Sequence, residues 1–315
     1  MPALSSLAAR SVAVNSSRPS VVFAHKSTVA AEVKAEVKKE VTPKKEVTKR
    51  VEEDDEDENN SDDDEENDAD AISREQSQIM KAVSKLFLLV SYSLNTTSSK
   101  EMYRDDPVYF KKMEKLCEGY KSLRRVRPDG NCFFRGFGYS YFEKLLGDEV
   151  EWKRFQTLML GTKDQLLSQG FPKFTLEDFY DSFMEVVNRL GGESKMTIEE
   201  LNNTFNEAGT SDYLVVYLRL LTSGQLQKEE EFYQNFVEGD KTIKEFCQQE
   251  VEPMYRESDH MHAIALGSAL KVGIRVVYLD RGEATTSPPA HDFPEDCTPS
   301  VYLLYRPGHY DILYM

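Results

Sequence analysis

The sequence predicts an α+β domain: a helix-rich lobe packed on a small β-sheet built late in the chain, with a disordered acidic tail in front. Three observations carry this expectation. Apolar residues recur at helical spacing in successive segments up to residue 270, several opened by capping residues. After Gly273 the pattern changes to short runs rich in Val, Ile, Leu and Tyr, separated by Pro/Gly turns. Before residue 72 no pattern able to form a core is present.

The tail comes first. The chain has 315 residues, enough for two domains or for one domain and a tail. Its net charge is −16, of which −14 comes from residues 52–70, a block with no Lys or Arg, so the remainder carries −2. The acidity is local, and no basic face for nucleic acid is expected. The block would stay extended by self-repulsion, solvated or docked on a basic partner. Residues 32–50 repeat Ala-Glu-Val-Lys and bury nothing. Residues 1–31 hold Arg10, Arg18 and Lys26 and no acid. That composition is compatible with a mitochondrial transit peptide, but a disordered tail is the preferred reading. The four cysteines (Cys117, Cys132, Cys247, Cys297) are widely spaced and form no C-x-x-C. Neither a zinc site nor a disulfide framework is expected, and a reducing compartment suits them. The run Leu86-Phe87-Leu88-Leu89-Val90 falls far short of the ~20 residues of a membrane span.

From Ala71 the composition becomes globular. Ile72, Ile79, Ala82, Val83, Leu86 and Leu89 predict an amphipathic helix beginning near Ser73, broken at Asn95-Thr96-Thr97-Ser98-Ser99. Val108, Met113, Leu116 and Tyr120 predict a second helix. The expected division is a tail over 1–72, an N-terminal helical arm over 73–120 and a catalytic domain over 121–315. The arm is either a lid on the domain or an element that reaches a partner.

Phe133, Phe137, Tyr141 and Leu145, four apart, predict a buried helical stripe. Capping boxes are expected at Thr175-Leu176-Glu177-Asp178 and Thr197-Ile198-Glu199-Glu200. Ser211 or Asp212 should cap the apolar helix Tyr213 to Leu221, which ends near Gly224. Thr242 to Val251 reads as a helix with Cys247 turned inward. Ser258-Asp259 opens another, through Leu270. Strands are predicted at Ile274 to Leu279, Val301 to Tyr305 and His309 to Tyr314, with residues 281–299 as loop. The turn Arg306-Pro307-Gly308 should pair the last two strands antiparallel.

Chemistry is concentrated at Arg127-Pro128-Asp129-Gly130-Asn131-Cys132. Pro128 disfavours helix before it, Gly130 can take positive φ, and Asp129 or Asn131 can bond nearby backbone. The turn delivers Cys132 to a helix start, where outward N–H groups favour thiolates and oxyanions. A buried structural cysteine is the competing reading. A nucleophilic thiol needs a base, and the base an orienter. His25 lies in the tail, His291 in the Pro-rich loop, and His260 and His262 at a helix start. His309 opens a strand after a turn, and Asp311 projects from the same face. An exposed His–Asp pair is the alternative there; the cysteine turn favours a Cys132–His309–Asp311 site. No G-x-S-x-G, phosphate loop or H-E-x-x-H occurs.

Asp129-Gly130-Asn131-Cys132-Phe133-Phe134-Arg135, together with Tyr305-Arg306-Pro307-Gly308-His309-Tyr310-Asp311-Ile312-Leu313-Tyr314, resembles the OTU superfamily of deubiquitinases and, within it, the otubains. The segments 210–224, 245–254 and 257–260 are similar to otubain helices, so the resemblance spans roughly residues 104–315. It implies an OTU-type cysteine-proteinase fold and a ubiquitin thioesterase that cleaves isopeptide bonds, with a preference for chains of the proteasome-targeting linkage. It also implies Cys132 as nucleophile, His309 as base and Asp311 as its orienter. Asp129, Gly130 and Asn131 would form the active-site loop whose backbone helps to build the oxyanion hole. Neither metal nor cofactor is called for. The implied partners are ubiquitin, polyubiquitin chains and, through an N-terminal helix, ubiquitin-charged E2 enzymes, which an otubain can block without its cysteine. Residues 73–103 depart from the pattern of that helix. A monomer is expected, in the cytoplasm or, alternatively, the nucleus.

Overall fold

The computed structural model describes residues 89–281, 287–295 and 297–315. The expected tail over 1–72 and the expected helix as far as residue 88 lie outside them. In chain order the elements are β1 (Val90–Asn95), α1 (Thr96–Lys100), α2 (Pro107–Gly119), β2 (Ser122–Val126), α3 (Cys132–Gly147), α4 (Glu149–Leu160), α5 (Thr162–Ser168), α6 (Lys173–Asn188), α7 (Ile198–Asn206), α8 (Ala208–Lys228), α9 (Glu230–Tyr233), α10 (Ile243–Phe246), α11 (His260–Leu270), β3 (Gly273–Tyr278), β4 (Ala290–Phe293), β5 (Pro299–Arg306) and β6 (His309–Tyr314). Among the described residues no helix is long and apolar enough to cross a membrane.

The strands form one six-stranded sheet in the order β1-β2-β6-β5-β3-β4. Every neighbouring pair is antiparallel except β3 and β5. Strand alternation divides the apolar side chains between two faces. Ile312, Leu303 and Val276 join the main core with α3 and the helical lobe. Leu313, Leu304 and Val277 form a second cluster with Met113 and Leu116 of α2. The sheet is therefore a middle layer. The main core is largely aromatic: Phe142, at the centre of α3, meets Phe155, Phe183 and Phe205 edge-on.

The expected last two strands are present, paired through the short turn with Arg306 opposite His309. The Thr197–Glu200 capping box is formed. The structure corrects several other expectations. The arm over 73–120 is not wholly helical: residues 90–95 form an edge strand, and the expected break at Asn95 caps α1 through its side chain. That strand pairs with β2, so this part of the arm belongs to the catalytic domain's sheet. The loop over 281–299 contains β4, held to β3 by the Arg275–Asp292 ion pair. Thr175 does not open a helix, since α6 begins two residues earlier after Pro172, which leaves the Thr175 hydroxyl to bond the Pro172 carbonyl. Ser211 and Asp212 do not cap α8. Glu207 does so instead, accepting from the Gly209 and Thr210 N–H groups, and the helix runs past Gly224 to Lys228. The Thr242 segment opens on a capping box, which sequence did not single out, but Cys247–Val251 widens to a π-turn instead of continuing the expected helix, with Cys247 buried as expected.

Candidate active site

β2 ends at Val126, and Arg127 and Pro128 lead into the turn before α3. Gly130 has φ of +78°, and a Cβ there would run into the Tyr255 carbonyl, so only glycine fits. Asp129 accepts the Asn131 N–H at Oδ1 (2.9 Å) and the Arg135 Nη1 at Oδ2 (2.7 Å). Arg135 is fully buried and also reaches Ser211 (3.1 Å) and Asp212 (2.8 Å), which ties the turn to α8. The Asn131 side chain does not cap α3; its Oδ1 accepts from Tyr255 N–H and from Arg219 Nη2, both at 2.9 Å. Cys132 opens α3 at 3% exposure. The Asp129 N–H is used by the Arg127 carbonyl (3.0 Å), and the Asn131 N–H by Asp129. Among the described residues, the N–H groups of Gly130 and Cys132 are left without a hydrogen-bond acceptor.

His309 and Asp311 project from one side of β6, as their alternation requires. His309 Nε2 lies 2.9 Å from Asp311 Oδ1. The same carboxylate oxygen accepts the Val126 N–H at 2.9 Å, and Oδ2 accepts from Arg306 at 2.6 Å. Asp311 is 2% exposed. Burial works to protonate it, but the His309 hydrogen bond and the Arg306 charge hold its pKa below the ordinary 3.8. An ionised Asp311 makes Nε2 the donor and leaves Nδ1 for Cys132. No hydrogen bond of standard geometry joins Nδ1 to the sulfur. The thiol is nevertheless close enough to act on the ring. Burial lowers the pKa of His309, but Asp311 and then Cys132 overcome it and raise the ring to about 9. The imidazole therefore keeps its proton through neutral pH.

The structure thus brings together Cys132, His309 and Asp311, with Asp129, Gly130 and Asn131 beside them. His260 and His262 stay at the helix start, where His262 completes a capping box with Asp259. Three arginines were not singled out from sequence: Arg135 under the turn, Arg306 behind Asp311, and Arg219. Arg219 left a signal, as the single charge in the apolar run Tyr213 to Leu221. Arg135 and Arg306 stand close in the chain to Asp129 and Asp311, but their spacing carries no recognisable pattern, and the other partners of Arg135, Ser211 and Asp212, come from α8.

A thiol at a helix start, an imidazole beside it and a buried carboxylate behind the ring define a class, the cysteine hydrolases. The family model described as Peptidase C65 Otubain matches residues 82–315, extending the likeness read from 104–315 toward the N-terminus. The chain belongs to the otubain family of cysteine peptidases. It is 51% identical over 246 residues to human ubiquitin thioesterase OTUB1, covering 78% of this chain and 90% of that protein. It is 39% identical over 228 residues to human ubiquitin thioesterase OTUB2, covering 72% and 96%. A solved structure described as h/ceOTUB1–ubiquitin aldehyde–UBCH5B~Ub superposes with a TM-score of 0.70 at 30% identity, covering 78% of this chain and 97% of that one.

Proposed function

We propose that this chain is a ubiquitin thioesterase that hydrolyses isopeptide bonds of ubiquitin conjugates through a thioester at Cys132. The observation that carries the reading is the meeting of Cys132, at the start of α3, with His309, whose ring the buried Asp311 holds at 2.9 Å. Family membership and relatives named ubiquitin thioesterases supply the substrate class. The Cys132 thiolate attacks the carbonyl at the ubiquitin carboxyl terminus. The N–H groups of Gly130 and Cys132 receive the oxyanion; such a donor typically contributes about 10²–10³ in rate. His309 gives its Nδ1 proton to the leaving lysine amine, then takes one from the water that hydrolyses the thioester. Asp311 orients the ring throughout, and Asp129 holds the loop's shape through the Asn131 N–H. Chains of the proteasome-targeting linkage are the proposed preference. The cytoplasm, a reducing compartment, suits the four unbridged cysteines.

A second role, binding and blocking ubiquitin-charged E2 enzymes, is favoured by one observation. The similar solved structure contains ubiquitin aldehyde and ubiquitin-charged UBCH5B. One experiment tests both roles. Cys132→Ala is expected to abolish cleavage of a panel of linkage-defined di-ubiquitins while still slowing ubiquitin discharge from an E2. Retained cleavage would remove Cys132 as nucleophile, and loss of E2 inhibition would remove the second role. Labelling of Cys132 by a probe of another modifier, but not by that of ubiquitin, would overturn the substrate class.

A further inference from the structure

Arg219, in α8, is a fully buried cation that no carboxylate among the described residues hydrogen-bonds. Its Nη1 donates to the Val251 carbonyl (2.9 Å). Its Nη2 faces the Gly130 carbonyl (3.0 Å), Asn131 Oδ1 (2.9 Å) and the Arg256 carbonyl (2.8 Å). The guanidinium lies over the Phe134 ring at 4.6 Å. Arg135, also buried, has Asp129 and Asp212 to balance its charge. A guanidinium held in the interior by neutral oxygens alone is costly, and an apolar side chain or a Lys–acid pair would fasten α8 at lower cost. Burial lowers its pKa to about 10, and of the groups that draw it back up Cys132 comes first, ahead of Asp129.

The loop geometry gives the second half of the argument. The Gly130–Asn131 peptide is held at both ends: Arg219 takes its C=O and Asp129 takes its N–H. In a trans peptide these groups point opposite ways, so the two bonds fix the plane from both sides. The unpartnered N–H groups of Gly130 and Cys132 lie immediately before and after that peptide. Its tilt therefore sets where they point.

We propose that Arg219 is a positioning residue for the thioester chemistry: it locks the Gly130–Asn131 peptide from beneath and keeps a fixed positive charge under the turn that presents Cys132. The inference rests on the thioesterase reading for its reaction, but not for its charge effect. In each half-reaction negative charge moves between the sulfur and the carbonyl oxygen, and a cation already in place serves both without rearranging.

The test compares the full chain with Arg219→Met and Arg219→Lys in two assays. Alkylation of Cys132 by iodoacetamide is followed by mass spectrometry against pH, with Cys117, Cys247 and Cys297 as internal controls. Hydrolysis of a ubiquitin–aminomethylcoumarin conjugate gives kcat and KM. For Arg219→Met the half-maximal pH of Cys132 alkylation is expected to rise by about one unit, as for a thiol that loses a neighbouring cation. Its kcat should fall about 100-fold, the scale of a lost oxyanion donor, with KM within twofold. Arg219→Lys should restore the alkylation profile, because the charge remains. Its kcat should stay about tenfold low, because one ammonium cannot span the fork's acceptors. An alkylation profile unmoved in Arg219→Met, with kcat reduced only by the unfolded fraction, would overturn the inference. If Arg219→Met does not fold, an Arg219→Lys enzyme with wild-type kcat would overturn it. Failure of the thioesterase reading looks different: the wild type would leave the ubiquitin conjugate intact while its Cys132 alkylation still responded to Arg219.

Discussion

Asp311→Asn changes the carboxylate least in shape and most in hydrogen-bond chemistry. Asp311 accepts three bonds and donates none: from His309 Nε2 and Val126 N–H at Oδ1, and from Arg306 at Oδ2. Asparagine offers one oxygen. With that oxygen at the Oδ1 position, its amide NH₂ meets the Arg306 guanidinium, donor against donor. Turned over, the NH₂ meets the Val126 N–H and pushes the imidazole toward the tautomer with its proton on Nδ1, so the neutral ring cannot take a proton from the thiol. The charge is also lost. A complete return of His309 from about 9 to 6.5 would correspond to roughly 3 kcal/mol at 1.36 per unit. Since Cys132 supplies part of the upward shift, roughly 2 kcal/mol is the expected share, and with the wrong tautomer a fall in kcat/KM of about 10²–10³.

The assay is kcat/KM against pH with the coumarin conjugate. The wild-type activity should decline as pH rises through about 9, where His309 loses its proton. In Asp311→Asn that decline should move at least one unit toward neutrality. The thermodynamic sign follows from the same shifts. His309 is raised above its unfolded value, so its contribution to folding is complete below pH 6.5 and is lost as pH passes about 9. Asp311 is lowered, so its contribution is present above 3.8 and lost as pH falls through its lower native value. The stability gap between wild type and variant in urea should therefore be widest between about pH 4 and 6.5 and narrow toward pH 10. An alkaline limb that stays in place, with activity within threefold of wild type, would refute the reasoning.

Gly130→Ala should cost about 2 kcal/mol in urea denaturation, from the left-handed backbone and the blocked approach of Tyr255. It should also lower kcat with little change in KM, because the Gly130 N–H is displaced; a fully active, equally stable variant would contradict the tightness of the turn. Truncation should depend on where it falls. Removing residues 1–88 leaves β1 intact, and thermal melting and coumarin hydrolysis should stay near wild type. Removing residues 1–103 takes away β1 and Tyr103, whose hydroxyl helps to raise the Arg306 pKa, so both should drop. Equal behaviour of the two truncations would show that β1 contributes nothing to the site.

Signals that are local in the chain were legible, and those that depend on distant partners were not. The cysteine turn, the Thr197 and Asp259 caps and the His309–Asp311 alternation each depend on residues within a few positions of one another. The strands β1, β2 and β4 do not. From Val90 onward the sequence fits a helix or a strand equally well, and only pairing with residues 122–126 makes 90–95 a strand. β2 in turn draws its ladder from β6, at the opposite end of the chain, and β4 depends on β3 across a Pro-rich connection. The same distance hid the contacts of Arg135 with α8 and of Arg219 with the cysteine turn and the segment before α11, while the Arg135–Asp129 and Arg306–Asp311 pairs are local but follow no helical or strand spacing.

One of these unforeseen strands bears directly on the chemistry. The β2–β6 ladder stops at Arg124 opposite Ile312, and the next available donor, Val126 N–H, turns to the Asp311 side chain. A carboxylate thus takes the place of a backbone carbonyl where the sheet ends. Its position is set by the register of two strands nearly two hundred residues apart, and by Arg306 across the turn. The reacting groups could be named from short motifs because their identities are chemical. Their alignment could not, because it is a property of the sheet. Shifting β2 by one residue would keep every catalytic side chain and still deprive Asp311 of the Val126 N–H that fixes its Oδ1 and adds to the lowering of its pKa.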